Sequence, residues 1–319
     1  MDDKPLVSIC CITFNHAPYL KECLDGFVMQ QTNFKYEVII HDDASTDGTQ
    51  EIIKEYTQKY PDIFKPILQT ENQYSKGVKR ILATFCYPKA KGKYIALCEG
   101  DDYWTDPLKL QKQVDFLEAH PDIVYTCHRY LVQVEHDTNK KLFPNKYLDH
   151  FPKSEGFEFD LEFAFNGDWI AKTLTALFRK NILNKQQLMG CKYYRDAHLV
   201  YDILSQGNGF CFQFVGGVYR KQKGGVWSQI NSCKKLYTEV KTWEEIAKRT
   251  PSKFNKNKLR RCYTLYVHES LKNKNLFKVE NLTQLKLLFQ TPTDYINLRK
   301  EHKHQNELDR IKNFKLNQD

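Results

Sequence analysis

Two stretches of the chain carry acids from which chemistry could be built. Lys93-Tyr94-Ile95-Ala96-Leu97-Cys98 is an apolar run long enough for one buried strand, and it ends abruptly in Glu99-Gly100-Asp101-Asp102-Tyr103-Trp104. Adjacent carboxylates repel, so keeping both ionised requires a cation or donor groups close by, and hard oxygen ligands favour Mg²⁺ or Mn²⁺. The chemistry this predicts is a divalent ion carrying a phosphorylated ligand. The same Gly-Asp-Asp would also serve as a turn and N-cap for a helix beginning near Pro107. Upstream, Tyr36-Glu37-Val38-Ile39-Ile40-His41 runs into Asp42-Asp43-Ala44-Ser45-Thr46-Asp47-Gly48-Thr49, so the pattern of an apolar run ending in acids occurs twice.

The elements that position these acids follow from periodicity. Leu6 to Phe14 reads as a first strand and ends in Asn15-His16-Ala17-Pro18, after which Tyr19-Leu20, Cys23-Leu24 and Phe27-Val28 recur at helical spacing. Strand, loop, helix, strand, acidic loop, helix is a βαβ unit, and parallel strands of open α/β sheets bind ligands at their carboxyl ends. The second helix is expected to begin near Ser45, turn Ile52, Ile53 and Tyr56 inward, and stop before Pro61. Val134 to Asp160 mixes charges, prolines and aromatics and reads as a long loop.

Val7-Ser8-Ile9 through Thr13-Phe14-Asn15, then Asp42 to Thr49, then Glu99-Gly100-Asp101-Asp102, in this order and at these intervals, resemble the family 2 glycosyltransferases of the GT-A fold. The resemblance covers roughly residues 5 to 228 and is nearest to bacterial enzymes that add sugars to surface polysaccharides. It implies an α/β fold, a Rossmann-like mixed sheet flanked by helices, with a catalytic domain over residues 1–229; residues 230–319 lie beyond the resemblance and read from their composition as a helical appendage. It also implies inverting transfer of a sugar from a nucleotide-diphospho-sugar, a UDP-sugar by expectation, to a glycan or lipid-linked saccharide. On this likeness Thr13, Phe14 and Asn15 border the base, and Asp43 accepts a hydrogen bond from the uracil ring nitrogen while Asp42 buttresses the loop. Asp101 faces ribose and diphosphate, and Asp102 ligates the Mn²⁺ or Mg²⁺ that bridges the phosphates. A departing nucleoside diphosphate gains negative charge, so a cation held there stabilises the transition state more than the ground state.

Inverting transfer also needs a base for the acceptor hydroxyl. The family places it at the start of a helix far along the chain, which implies Asp196 in Arg195-Asp196-Ala197-His198-Leu199-Val200-Tyr201-Asp202. Arg195 departs from the usual small or acidic neighbour and would lower the carboxyl's basicity; an N-cap role is the alternative. Asp202, the competing candidate, lies six positions on, displaced by roughly 9 Å along the same helix, and His198 is a further possible base that beside Leu199 and Ile203 more often reads as structural. Gly216 to Ser228 resembles the family's strand and donor loop. Gln222 stands near a position where relatives carry a metal-binding histidine, while Arg220, Lys221 and Lys223 are either diphosphate contacts or an exposed basic turn. Asn72 to Arg80 offers polar and basic groups on the nucleotide side. Trp169 to Phe178 reads as an acceptor-side strand, and Tyr103, Trp104 and Trp169 are either sugar-stacking or core aromatics.

Composition narrows the classes. The 319 residues and 41% hydrophobic content suit one large α/β domain with an appendage. No run of 18 apolar residues occurs, and Met1 to Pro5 leads directly into a strand, so a cytoplasmic protein is expected. Ten cysteines without a C-x-x-C pair suggest reduced, buried thiols. From Ile230 onward there are 20 Lys and Arg against 10 Asp and Glu, whereas the rest of the chain is near neutral. Leu236, Val240, Trp243, Ile246 and Ala247, then Leu259, Cys262, Tyr263, Tyr266 and Val267, recur at helical intervals. A basic helical region of this kind would suit an anionic membrane surface at the inner face of the plasma membrane; no nucleic-acid-binding module accompanies the charge. Two rival readings are a nucleotidyltransferase, which would open with a glycine-rich basic loop absent after the first strand, and a catalytically idle sugar-nucleotide-binding or scaffold subunit, which Arg195 and Gln222 favour and the intact acids oppose.

Overall fold

The computed structural model describes residues 4–134, 139–166, 170–184, 190–222 and 230–272. β1 (Val7–Thr13), α1 (Ala17–Val28), β2 (Tyr36–Asp42), α2 (Thr49–Lys59) and β3 (Phe64–Leu68) alternate along the chain, and the three strands pair in parallel. β1 and β2 are apolar almost throughout because both faces of the sheet are covered. Val7, Ile9, Cys11, Val38 and Ile40 share one core with Leu20, Leu24 and Phe27 of α1. α2 starts at Thr49 rather than near Ser45, because Gly48 takes a φ of +96° and the residues before it form a loop instead of a first helical turn.

β4 (Tyr94–Glu99) flanks the other side of β1, also in parallel. The chain continues through β5 (Tyr103–Trp104), α3 (Lys109–Ala119), β6 (Ile123–Val134), β7 (Lys140–Leu142), α4 (Lys146–His150), β8 (Gly156–Phe159), α5 (Leu161–Asn166), β9 (Leu177–Arg179), α6 (Asp196–Leu204) and β10 (Asn208–Lys221). The sheet order is β3-β2-β1-β4-β9-β6-β10-β5, with β7 added to β6 and β8 to β10. β9 runs antiparallel to β4 and β6, which makes the sheet mixed. This is the GT-A architecture expected from the sequence.

Two local expectations need correction, and a third, left open between two readings, is decided. The stretch read as a long loop contains β7, α4 and β8; α4 is started by Asn145, whose side chain accepts the N–H groups of Tyr147 and Leu148. The expected strand from Trp169 to Phe178 is shorter: Trp169 lies outside the described residues, Thr173–Thr175 forms a 3-10 turn, and only Leu177–Arg179 pairs in the sheet. Tyr103 and Trp104 are buried in a two-residue strand paired with Gly217 and Val218 of β10, and the Trp104 indole N–H donates to the Leu174 carbonyl at 2.8 Å, so both are core residues and do not offer a face to a sugar.

The chain forms two compact units: residues 4–190 with 199–222, and residues 191–198 with 230–272 among those described. In the second, α7 (Ser232–Arg249) and α8 (Lys253–Lys272) pack together, with Tyr237 against Tyr266 and Trp243 against Phe254. Val240, Trp243, Ile246, Cys262, Tyr266 and Val267 are buried there, the positions the helical spacing marks. All ten cysteines are free thiols and nine are buried. Among the described residues no helix is long and apolar enough to cross a membrane.

Candidate functional site

Parallel register brings three strand ends side by side: Thr13 pairs with Asp42, and Ile12 with Glu99. The loops that follow are stitched together. Consecutive N–H groups of Asn15, His16 and Ala17 donate to Ser45 Oγ (2.8 Å), Thr49 Oγ1 (2.9 Å) and Asp47 Oδ2 (3.0 Å), and Asn15 Oδ1 accepts the Thr46 N–H at 3.0 Å. Asn15 and Ala44 have φ of +53° and +64°, conformations that cost a non-glycine residue roughly 1–3 kcal/mol and are held by the surrounding bonds. Asp42 is fully buried; it accepts the Ser45 N–H, the Ser45 hydroxyl and the Gln50 amide, so its carboxylate is used within the loop.

Asp43 is held differently. Its N–H donates to the Thr13 carbonyl at 3.0 Å, and its carboxylate accepts the N–H of Gln73 at 2.8 Å on Oδ1 and of Tyr74 at 3.0 Å on Oδ2. Each carboxylate oxygen retains a second lone pair for a ligand donor. The Asn72–Tyr74 segment, from which sequence reasoning could single out no residue, is thereby attached to Asp43. Phe14 and Tyr74 are 46% and 45% exposed in this region.

The acidic motif turns sharply after β4, with the Gly100 N–H on the Ile12 carbonyl (2.9 Å) and the Asp102 N–H on the Glu99 carbonyl (3.0 Å). A Cβ on Gly100 would lie 2.9 Å from Thr13 Cβ and 3.1 Å from His16 Nδ1, so a side chain has no room. Asp102 is 1% exposed; Oδ1 accepts the Arg220 N–H at 2.8 Å and Oδ2 has no partner. Burial and the neighbouring Asp101 charge push this carboxyl well above the usual carboxylate range. Thr13 Oγ1 and His16 Nδ1 are also buried without partners, and burial lowers the His16 pKa against the pull of Asp101, Asp47 and Asp42. Glu99, Asp101 and Asp102 each place one carboxylate oxygen within 4.8 Å of the others. A buried carboxylate with an unused oxygen, flanked by two more acids, fits a hard divalent cation.

Arg220 and Gln222 meet this motif in ways the sequence did not show. The Arg220 guanidinium donates to the Asp101 carbonyl at 2.8 Å and bonds Glu22, so it braces the motif and is committed away from the diphosphate role expected of it. Gln222 donates its amide to Asp101 Oδ2 at 3.0 Å. Lys223 lies outside the described residues.

Asp196 belongs to the second unit, where it opens α6 and is exposed. Asp202, further along α6, is buried. His198 is buried too, and burial with the charges of Arg249 and Arg195 pushes it down to about 4, so it is neutral near pH 7. Its Nδ1 accepts the Arg195 N–H at 3.2 Å and its Nε2 lies 3.3 Å from Glu245. Cys191 completes a Cys–His–Glu group, but its sulfur accepts from Arg249, Glu245 is occupied by the N–H groups of Lys192 and Tyr193, and the proton of neutral His198 sits on Nε2. This donor set does not fit a cation, because a metal-bound imidazole ordinarily donates from its other nitrogen.

Over 139 residues, 43% of its length, the chain is 48% identical to an uncharacterised protein of Mycobacterium tuberculosis, across 39% of that protein. It is 32% identical over 129 residues to WfaP of Escherichia coli, a UDP-Glc:alpha-D-GlcNAc-diphosphoundecaprenol beta-1,3-glucosyltransferase, covering 40% of this chain and 47% of WfaP. The match thus spans less than half the length of either relative. Among solved structures, residues 1–349 of S. aureus TarS in complex with UDP-GlcNAc superpose with a TM-score of 0.61 at 17% identity, over 91% of this chain and 80% of that one, a likeness of fold. The family model for glycosyl transferase family 2 matches residues 8–185, more than half of the chain, and the protein belongs to that family.

Proposed function

We propose that this protein transfers a sugar from a UDP-sugar, with inversion, to a saccharide or lipid-linked acceptor in the synthesis of a bacterial surface polysaccharide. One observation carries the reading: three parallel strand ends in register set the Asp43 loop beside the Glu99–Asp102 acids, and the buried Asp102 keeps one oxygen without a protein partner. Thr13, Phe14 and Asn15 border the base, and Asp43 accepts the uracil N–H with its remaining lone pair. Asn15 acts there mainly by holding the loop, since its amide oxygen is bonded to Thr46. Asp101 faces ribose and diphosphate, and Glu99, Asp101 and Asp102 are the residues that would hold Mn²⁺ or Mg²⁺. A bound divalent ion supplies positive charge against the diphosphate. Asp196 takes the proton of the acceptor hydroxyl as the new bond forms.

The acceptor named for WfaP, a diphosphoundecaprenol-linked sugar, supports a lipid-linked acceptor for this chain. The basic residues that accumulate after Ile230 suit a peripheral position on anionic lipid at the cytoplasmic face of the membrane. Residues 1–229 act in this reading as the catalytic domain and 230–319 as its appendage.

Release of UDP from a panel of UDP-sugars, measured with and without saccharide acceptors, tests the activity. Asp196→Asn should abolish transfer, by about 10²-fold or more, and leave donor binding intact. Loss of donor binding in that variant would remove Asp196 from the role of base.

A further inference from the structure

Among the described residues, Lys172 is a cation on a turn packed against the elements that flank the acids at the end of β4. Lys172 directly precedes the 3-10 turn Thr173–Thr175, and that turn is fixed against β5 and β10. The Leu174 carbonyl accepts the Trp104 indole N–H at 2.8 Å, and Leu174 Cδ1 would lie 2.8 Å from a Cβ on Gly217. β5 begins immediately after Asp102, and β10 delivers the Arg220 N–H to Asp102 Oδ1 at 2.8 Å, so the turn is anchored on both neighbours of the acidic motif. Lys172 Nζ sits 4.1 Å from the ring centroid of Tyr219, the residue next to Arg220. Among the described residues this ammonium has no hydrogen-bond acceptor and no carboxylate at ion-pair distance; the Tyr219 ring is its recorded contact. Arg220, by contrast, is bound to the Asp101 carbonyl and Glu22.

We propose that Lys172 binds the β-phosphate of the nucleoside diphosphate held at Glu99–Asp102. The assignment rests on the donor-site reading above and adds a residue to it. A half-buried ammonium without a counter-ion is short of an anionic partner, and phosphate oxygens accept from lysine as from a point charge. As the bond between the sugar anomeric carbon and the β-phosphate oxygen breaks, its electron pair goes to that oxygen, and the ammonium offsets the added charge.

The test is titration of UDP and of UMP, each with Mn²⁺, into the full chain and into Lys172→Met and Lys172→Arg. Lys172→Met should weaken UDP by about tenfold or more and UMP by less than about twofold, because only UDP has the phosphate in question; Lys172→Arg should restore most of the UDP affinity. Unchanged UDP affinity in Lys172→Met overturns the proposal, as does an equal loss for UDP and UMP, which would place the residue at the nucleoside or in folding. Wild-type protein that binds neither nucleotide overturns the donor site itself. If the methionine variant does not fold, Lys172→Gln, which keeps a polar end, is read in its place by the same criteria.

Discussion

Glu37 and Asp102 are both buried acids of one sheet, placed at opposite ends of its strands. At the amino ends, Glu37 is 4% exposed and its Oε1 accepts the Ser8 hydroxyl and the Lys91 N–H, each at 2.7 Å, while the Gly92 N–H donates in turn to Ser8 Oγ at 2.8 Å. No buried side-chain nitrogen or oxygen of that group lacks a partner. Backbone closes over it so tightly that a Cβ on Gly92 would lie 2.6 Å from the Ser8 nitrogen. At the carboxyl ends, Asp102 is buried at least as deeply, yet Asp102 Oδ2, Thr13 Oγ1 and His16 Nδ1 are left without partners. The same fold that completes one acid leaves the other incomplete. Unsatisfied buried groups are costly, and Asp102 Oδ2, Thr13 Oγ1 and His16 Nδ1 stand where a ligand at the carboxyl ends of the strands would supply bonds.

The largest effect that would sharpen this contrast is at Asp43. Asp43→Ala removes the proposed acceptor for uracil and releases the N–H groups of Gln73 and Tyr74, so UDP affinity should fall by about 10–100-fold, and hydrogen exchange at Gln73 and Tyr74 should speed up. Faster exchange without weaker UDP binding would make Asp43 a loop anchor alone. Next in size, Glu37→Ala should destabilise the protein by about 1–3 kcal/mol in urea unfolding, because the Ser8 and Lys91 donors lose their acceptor, and should leave the folded protein's UDP affinity unchanged. A change in affinity would break the division between the two ends.

A separate test concerns Lys109, buried beneath Trp104, whose side-chain nitrogen donates to Gln113 Oε1 at 2.7 Å. Burial lowers it from 10.5 to about 7. Between about pH 7 and pH 10 the unfolded chain holds a proton that the folded chain has shed, so this group makes stability rise with pH across that window; below about pH 7 both states are protonated and its contribution is flat and least favourable. Lys109→Met should flatten the rise. An unaltered pH profile of urea unfolding would mean that the folded protein keeps Lys109 charged.

Much of the site was legible because its signals are local. An apolar run that stops at Gly-Asp-Asp or Asp-Asp-Ala-Ser states both a strand and the acids at its end, and the βαβ order then sets two such ends beside each other. The partners of those acids were not legible. Asp43 is held by main-chain N–H groups of Gln73 and Tyr74, and Asp102 by that of Arg220, across separations of 30, 31 and 118 residues, and a backbone donor has no side-chain signature. Arg220 reads as either a phosphate contact or part of an exposed basic turn because charge is all the sequence shows; its bonds to Asp101 and Glu22 depend on tertiary placement. The elements between Val134 and Asp160 were hidden for a different reason: β7, α4 and β8 are three to five residues long, too short for a periodic pattern among prolines and charges.

The most direct test of the difference between the two acids is calorimetric titration of UDP into wild-type protein and Asp102→Asn, with Mn²⁺ and with chelator, alongside their thermal unfolding in chelator. Wild-type protein should bind UDP in a Mn²⁺-dependent manner; Asp102→Asn should lose that dependence and unfold at a temperature no lower than wild type, since it replaces a buried carboxyl group that lacks a full set of partners. Wild-type-like, Mn²⁺-dependent binding in Asp102→Asn, or a marked fall in its unfolding temperature, would show that Asp102 is a structural acid of the same kind as Glu37 and would contradict the account.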